Sequence, residues 1–241
     1  MRLLFTQLRM ELAVVVRNGE QLLVVIGIPT NMLVFFSNID VLPTGGQDAI
    51  DFLVPGILAL AVMSTAMVSL GIATGFERSY SVLKRLGATP LGRPRLVLAK
   101  SLAVGAIEIV QCAVLLVVGV LLGWSTVVTS WGQGVLALIL GTLAFAGLGL
   151  FMAGTLKAEV NLAVQNGVYL ILLLIGGVVI PLASLPSPLR TVGSWLPSGA
   201  LTDVLREAFA GAGTHPQSSW IVLCLWALGA PLCAARWFRW Q

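Results

Sequence analysis

The stretch FLVPGILALAVMSTAMVSLGIATGF, residues 52–76, carries no charged side chain. A helix needs about 20 apolar residues to cross the hydrocarbon core of a bilayer, so this stretch predicts a membrane-spanning helix. Other charge-free runs cover 21–39, 160–189 and 208–235, and the run 101–156 is interrupted only by Glu108. The charged share of 10% agrees with a membrane protein, because soluble domains carry about 25% charged residues.

The long run 101–156 predicts two helices, because Ser130-Trp131-Gly132-Gln133-Gly134 near its middle is typical of a turn. The fold class is therefore predicted as an all-α integral membrane protein, with a single transmembrane domain over 1–241. A soluble helical core does not need so many uninterrupted apolar runs. The six predicted spans lie at roughly 21–40, 53–76, 97–124, 134–156, 161–182 and 217–235.

The distribution of basic residues predicts the orientation of these spans. Twelve of the fourteen Lys and Arg side chains fall before span 1, between spans 2 and 3, between spans 4 and 5, or after span 6. Basic residues accumulate in cytoplasmic loops, so we expect a multi-pass protein of the plasma (inner) membrane with both termini in the cytoplasm. The same rule explains the basic excess without a nucleic acid partner.

Residues 1–18 show an amphipathic helical pattern. Apolar side chains fall within one arc of the helix and Arg2, Arg9 and Arg17 on an adjoining arc. We expect an interfacial helix that lies on the membrane lipid, with its guanidinium groups toward the headgroups. The alternative is a frayed leader that only contributes to orientation.

The densest basic group lies between the second and third spans, in the segment ERSYSVLKRLGATPL, residues 77–91. Residues 77–86 have helical character, and Gly87 is a plausible helix end with Pro90 just beyond. Such a helix presents apolar and basic side chains to a soluble partner. The alternative is a solvated basic loop that only sets the orientation.

This segment resembles the loop of type-2 ABC exporter permeases, the family of daunorubicin-resistance-type drug permeases and polysaccharide exporters. The resemblance depends on Phe76-Glu77-Arg78, on Leu83-Lys84-Arg85-Leu86-Gly87-Ala88-Thr89-Pro90-Leu91, and on Lys100-Ser101 nine residues on. The order of elements along nearly the whole chain also agrees. This chain has Tyr80-Ser81 where the family often has Gly-Thr.

The resemblance implies that 77–95 is a cytoplasmic coupling loop contacting a separate ABC ATPase subunit. The residues implied in coupling are Glu77, Arg78, Lys84, Arg85, Leu86, Thr89 and Pro90. The sequence contains no Gly-x-x-x-x-Gly-Lys-Ser/Thr phosphate-binding loop, so we expect ATP and Mg on the partner and no cofactor, metal or catalytic residue in this chain. The resemblance also implies a second permease subunit, identical or related.

Polar side chains inside the predicted spans are candidates for a substrate path. Glu108 is the most expensive of them, because a charged group at mid-membrane costs about 3 kcal/mol on insertion scales. Hydrogen bonding between helices is the alternative role. The set comprises Asn31, Glu108, Gln111, Asn161, Gln165 and Asn166.

The proline-rich stretch 181–216 precedes the last span. An amphipathic helix is predicted at about 199–210, with an apolar stripe opposite its charged residues. The resemblance implies that 183–215 forms re-entrant outer helices and a gate; the alternative is an ordinary amphipathic linker. The gate residues are expected to be Pro181, Asp203, Arg206 and Glu207.

The sequence thus predicts a permease subunit of an ATP-driven exporter of a hydrophobic or amphipathic substrate, such as a drug, a lipid or a lipid-linked polymer. A secondary transporter is the first alternative, although it usually shows internal repeats and more charge at mid-membrane. A membrane anchor or sensor without transport activity is the second.

Overall fold

The computed structural model describes residues 2–39, 49–87, 93–124, 130–210 and 216–239. Every regular element within these ranges is a helix, in agreement with the predicted all-α class. The first element, α1, covers Arg2–Arg17, so a helix is present where the interfacial helix was predicted, and its position at a membrane surface stays a prediction. Its outward face carries Phe5, Met10, Val14 and Val16, while Gln7 is buried against the rest of the molecule.

The first apolar helix consists of three consecutive pieces: α2 (Gly19–Leu22), a π-helical turn (Leu23–Gly27) and α3 (Ile28–Ser37). Its apolar part, Leu23–Ser37, is shorter than the usual membrane crossing. It ends at Asn38, whose side-chain amide donates to the carbonyl of Val34 at 2.7 Å. The first of the six predicted spans is therefore present as an apolar helix, and its crossing of the membrane stays a prediction.

The second apolar helix is the longest and the most central. It runs from α4 (Ala49–Val62) through a π-helical segment (Met63–Ser69) into α5 (Leu70–Ser79). Its most apolar window is 83% buried, against 22% for the helix Ala158–Ile175. Neighbouring helices thus surround this helix, whereas the outer helices keep apolar faces for lipid or for another subunit.

The predicted helix at 77–86 differs from the structure in one respect. The second apolar helix continues to Ser79, and a separate helix, α6, covers Val82–Gly87. The two are divided at Ser81, a non-glycine residue with a left-handed φ of 59°. The hydroxyl of Ser79 donates to the carbonyl of Phe76 at 2.8 Å, which helps to end the first of these two helices.

The remaining helices agree closely with the predicted spans. They are α7 (Arg93–Leu121), α8 (Trp131–Thr155), α9 (Ala158–Ile175) and, last in the chain, α12 (Pro216–Trp237). Among the described residues, five helices are long and apolar enough to cross a membrane: Ala49–Ser79, Ala99–Leu121, Trp131–Thr155, Ala158–Ile175 and Gln217–Trp237. The prediction was wrong at the end of the fifth span, which stops at Ile175 rather than 182 because the chain turns at Gly176 and Gly177, the latter with a φ of 70°.

Two further helices precede α12. They are α10 (Ser187–Trp195) and α11 (Pro197–Ala210), so the helix expected at 199–210 is present. Helix α11 is deeply buried, with Leu201, Leu205 and Phe209 in the main core. It packs against α4, α8 and α12 and closes one end of the helix bundle. The end that holds α1 and α6 lies opposite.

Candidate functional site

A groove opens between the first apolar helix, the second apolar helix and α9. Its volume is about 560 Å³, within the range of small-molecule binding sites. We call it the membrane groove. Its lining residues are Asn18, Glu20, Val24, Val25, Ile28, Pro29, Leu60, Ser64, Val68, Ser69, Ile72, Ala73, Asn166 and Tyr169.

The lining divides into an apolar wall and a polar end. Side chains such as Val24, Ile28 and Leu60 supply the wall. Asn18 lies between α1 and α2, and Glu20 lies in α2; these two residues carry the polarity at that end. Glu20 is the one charged side chain in the described lining of the groove. A groove of this kind suits a molecule that has one apolar part and one polar part.

Both π-helical segments contribute to this wall. The side chain of Gln111, on α7, forms a hydrogen bond with each of the two segments. Its side-chain amide donates to the carbonyl of Val25 at 2.6 Å, and its oxygen accepts from the hydroxyl of Thr65 at 2.9 Å. Pro29 lacks the N–H that would bond to Val25 four residues earlier, so Gln111 supplies the missing donor. Gln111, predicted in the substrate path, is fully buried and lies behind the groove instead of lining it.

Asn161 and Gln165 are also buried between helices. Asn161 donates to the carbonyl of Gly71 at 3.0 Å, and Gln165 donates to the side-chain oxygen of Asn161 at 3.0 Å. A Cβ at Gly71 would lie 2.0 Å from the amide nitrogen of Gln165, so a glycine is required here for the two helices to approach. This pair connects α9 to α5, and of the three amides predicted on α9 only Asn166 lines the groove.

Asn31 and Asn166 are polar residues on exposed helix surfaces. Asn31 lies one turn beyond Ile28 on α3, and Asn166 donates to the carbonyl of Leu162 within its own helix. An amide exposed on an apolar helix is unfavourable in lipid, because the hydrocarbon offers it no hydrogen-bond partner.

Glu108 lies outside the groove, buried between α7 and α8 at 5% exposure. One carboxyl oxygen contacts the hydroxyl of Thr142, which also donates to the carbonyl of Leu138 at 2.8 Å. A hydroxyl has one hydrogen, so both short contacts are satisfied when Glu108 itself carries a proton. The described residues form no ion pair with Glu108, which agrees with a neutral carboxylic acid inside the bundle.

At the α1 end of the bundle, a buried lysine joins three elements. Lys100 of α7 is 6% exposed and forms ion pairs with Glu77 of α5 at 2.8 Å and Glu11 of α1 at 3.1 Å. Gln7 donates to the second oxygen of Glu11 at 2.7 Å. We call these four residues the Lys100 cluster, and it holds α1 against the ends of the second and third spans.

The other residues predicted in coupling surround α6. Arg78 donates to the carbonyl of Leu156, at the end of α8, while Lys84 and Arg85 are exposed on α6. Leu86 belongs to α6, and Thr89 and Pro90 lie outside the described residues. The structure thus brings Glu77 and Arg78 into contacts within the chain and leaves Lys84 and Arg85 at the surface.

The residues predicted as an outer gate bind α11 into the bundle. Arg206 is 9% exposed, donates to the carbonyls of Gly177 at 2.7 Å and Val178 at 3.3 Å, and lies 3.7 Å from the ring centre of Phe52. Asp203 accepts from the hydroxyl of Ser219 at 2.8 Å, which connects α11 to α12.

The other two predicted gate residues differ in exposure from this pair. Pro181 and Glu207 are half-buried.

Burial lowers the pKa of the Arg206 guanidinium, and Asp203 opposes that shift. A pKa of about 9 leaves the group positively charged at neutral pH.

Sequence reasoning missed three features of this region. It did not connect Glu11 to Lys100, because residues 89 positions apart give no periodic signal. It did not place Ser64, Ser69 and Tyr169 in a groove. The contact of Gln111 with Val25 had one available signal, since a proline at position 29 leaves a carbonyl that some neighbouring donor has to satisfy.

Comparison with known proteins gives two findings. The family model described as ABC-2 family transporter protein matches residues 25–234. YvfS of Bacillus subtilis (strain 168), which carries the name of a transport permease, is 27% identical over 139 residues. That match covers 57% of this chain and 57% of YvfS, so the chain spans less than two thirds of the length of this curated relative.

Proposed function

The chain belongs to the ABC-2 family of transporter proteins, and we propose that it is the membrane-spanning permease subunit of an ATP-driven exporter. In this proposal a separate ATPase binds ATP and Mg and supplies the work. The chain converts that work into movement of an amphipathic substrate. The observation that supports this function best is the membrane groove, since its volume and its mixed polarity suit an amphipathic molecule.

The chemistry of the groove suggests the substrate class. Its wall is mostly apolar, with a few amides and hydroxyls in the lining, and its polar end presents the carboxylate of Glu20. An anionic head would be repelled by Glu20, whereas a cationic or neutral head is accommodated. We therefore propose an amphipathic substrate with a neutral or positively charged polar end.

The exposed amides support a second permease subunit. Asn31 on α3 and Asn166 on α9 are both exposed, and in lipid Asn31 and the polar atoms of Asn166 that do not bond to Leu162 would lack a hydrogen-bond partner. A second copy, or a related permease, that packs against α3 and α9 would shield both amides and complete the open side of the groove. In this arrangement the substrate path lies between the two subunits.

The connection between the ATPase and the groove runs through the second apolar helix. Helix α6 follows α5 after the turn at Ser81, and α5 continues into the π-helical segment that contributes to the groove wall. The Lys100 cluster and Arg78 tie the same end of α5 to α1, α7 and α8. A force applied at α6 is therefore passed to a packed group of helices rather than to a single loose loop.

The test uses the chain and its co-purifying ATPase in lipid vesicles. We expect a lipophilic cation, tetraphenylphosphonium, to stimulate ATP hydrolysis, and tetraphenylborate, an anion of the same shape, to have little effect. Replacement Ala73→Trp fills the groove and should abolish the stimulation, because Ala73 is an exposed lining residue. Ala113→Trp is the matched control, an exposed alanine on α7 outside the groove.

Two results would contradict this proposal. Transport at the full rate in vesicles without any ATPase would indicate a secondary transporter. Equal stimulation of the wild type and Ala73→Trp would remove the groove from the substrate path.

A further inference from the structure

A recess of about 400 Å³ lies between α8 and α12 and shares no lining residue with the membrane groove. We call it the α8–α12 recess. Helix α8 contributes Leu148 and Phe151, and one face of α12 between Leu225 and Cys233 contributes the rest, so the lining is almost entirely apolar. Both helices are long and apolar enough to cross a membrane, and the recess therefore opens toward lipid.

The packing of the two helices explains the shape of this recess. A Cβ at Gly147 would lie 2.4 Å from the backbone nitrogen of Pro231, so α8 and α12 touch backbone to backbone at this point. At Gly229, two positions earlier on α12, a Cβ would meet no neighbouring atom within 4 Å. The space over Gly229 is therefore open. An empty space here costs the surrounding apolar side chains their dispersion contacts, so an apolar ligand in it is favoured.

One end of the recess continues into a basic surface. Gly229, Cys233 and Arg236 follow one another at intervals of four and three positions, which places them on one face of α12. Arg236 is exposed and forms no ion pair among the described residues. Arg239, three positions on, is exposed as well. The face thus combines a cationic end with an apolar remainder.

Aromatic side chains lie at both ends of the recess. Trp237 is 56% exposed and contacts the ring of Phe151 edge-on, with the ring centres 6.4 Å apart. Tryptophan is enriched at the membrane–water interface, so this contact indicates that the Arg236 end lies at the level of the headgroups. At the other end, the indole N–H of Trp226 donates to the carbonyl of Trp195 at 2.9 Å, which fixes the position of this ring.

The length of the recess agrees with the depth of one leaflet. Trp226 and Arg236 are ten positions apart, and a helix rises about 1.5 Å per residue, so about 15 Å separates them along α12. The hydrocarbon core of a bilayer is about 30 Å thick, which gives about 15 Å for each leaflet. An acyl chain that begins at the level of Arg236 therefore ends near Trp226.

We propose that the α8–α12 recess holds one anionic phospholipid, with an acyl chain over Gly229 and the phosphate at Arg236. A guanidinium binds a phosphate through paired, charge-assisted hydrogen bonds, and Arg239 adds to the attraction. A protein helix is about 10 Å across and fits a recess of about 400 Å³ less well than an acyl chain does. The lipid would be a resident part of the protein and not its cargo, because the recess is separate from the membrane groove.

The binding test uses the whole chain, purified in detergent and titrated with phosphatidylglycerol or with phosphatidylcholine of the same acyl chains. Native mass spectrometry counts the lipids that each chain retains. We expect one phosphatidylglycerol per chain, bound about tenfold more tightly than phosphatidylcholine. The Tm should rise with the concentration of phosphatidylglycerol, because a ligand of the folded state stabilises it.

Variants of Arg236 test the position of the phosphate. Arg236→Gln should reduce the preference for phosphatidylglycerol to about twofold or less, because the charge that distinguishes the two lipids is lost. Arg236→Lys keeps the charge and should retain most of the preference. Arg190→Gln is the matched control, since Arg190 is an exposed arginine on α10, away from the recess.

A glycine variant tests the position of the acyl chain. Gly229→Leu fills the recess from a position where a Cβ meets no neighbouring atom, so it should weaken the binding of both lipids by about tenfold. The Tm without added lipid should not fall, because glycine is unfavourable inside a helix. Gly105→Leu is the matched control, a half-buried glycine on α7 where a Cβ also meets no atom within 4 Å.

Three results would overturn this assignment. Lipid binding by Gly229→Leu at the wild-type affinity would mean that no acyl chain lies in the recess. A full preference for phosphatidylglycerol in Arg236→Gln would place the phosphate elsewhere. Dissociation of a dimer in Gly229→Leu, with lipid binding unchanged, would show that a protein chain covers this face. All of these measurements are independent of transport, so the proposed function stands or fails separately.

Discussion

The two ends of the bundle each bury a basic side chain, and they satisfy it differently. At the α1 end, Lys100 pairs with two carboxylates that come from two other helices. At the opposite end, Arg206 donates to backbone carbonyls and lies over the ring of Phe52. Ion pairs between flexible side chains can re-form after a small shift, whereas bonds to backbone carbonyls hold one geometry. The comparison suggests a movable end near α6 and a rigid end around α11.

The surroundings support the same contrast. Glu77 and Glu11 keep side-chain exposures of 28% and 17% in their ion pairs. Around Arg206, the neighbouring Leu205, Val204 and Thr202 are all almost fully buried. Local opening requires few buried apolar contacts, so it is easier at the α1 end.

The largest expected effect comes from Arg206→Ala. Removal of the guanidinium leaves the carbonyls of Gly177 and Val178 unsatisfied and empties the space over Phe52, at a cost of about 3 kcal/mol in stability. We expect a sharply lower Tm and a lower yield of folded protein in detergent. Arg190→Ala is the matched control, because Arg190 also donates to two carbonyls but is exposed, so its loss should cost less than about 1 kcal/mol. Equal losses in the two variants would contradict a rigid, buried end.

The second effect concerns Lys100→Met. Removal of the ammonium leaves Glu11 and Glu77 facing each other, so we expect a moderate loss of stability and a larger loss of substrate-stimulated ATP hydrolysis. A double-mutant cycle with Lys100→Met and Glu77→Gln measures the coupling, which should reach about 1–2 kcal/mol. A variant that loses stability but keeps its full stimulated ATPase rate would show that the Lys100 cluster is only structural.

The smallest effect is expected at Glu108, which lies away from both ends. Glu108→Gln keeps a donor for Thr142, so stability should change by less than about 1 kcal/mol. If Glu108 carries a proton, the infrared spectrum of the wild type contains a carboxylic acid C=O band that Glu108→Gln lacks. Asp203 is a second buried carboxyl group, so the spectrum of Asp203→Asn tests whether the band comes from Asp203 instead. Absence of the band at neutral pH would mean that Glu108 is ionised and needs a partner that the described residues do not supply.

Sequence reasoning predicted the helices better than the contacts. The second, third, fourth and sixth predicted spans each match a long apolar helix within a few residues, because hydropathy and charge depend on local composition. The fifth span ended early, since Gly176 and Gly177 allow a turn that hydropathy does not detect. The role of the ATPase, the six-span topology and the outer gate stay predictions.

The sequence indicated which polar side chains lie within apolar helices, but it did not indicate which residues they contact. Glu108, Gln111, Asn161 and Gln165 are all polar in an apolar environment, and all four are buried with a hydrogen-bond partner. Periodicity places them on a helix face, but their partners come from other helices. Asn166, chosen on the same grounds, is the one amide of the predicted set that lines the groove.

The sequence by itself determined that this protein is a helical membrane protein with a basic segment between its second and third apolar runs, because the cost of burying charge in lipid acts on each stretch separately. Only the tertiary structure decided that Glu11 meets Lys100 and that Gln111 joins two π-helical segments. The reason is that hydrogen bonds and ion pairs depend on distances between helices, and the packing of small residues such as Gly71 sets those distances.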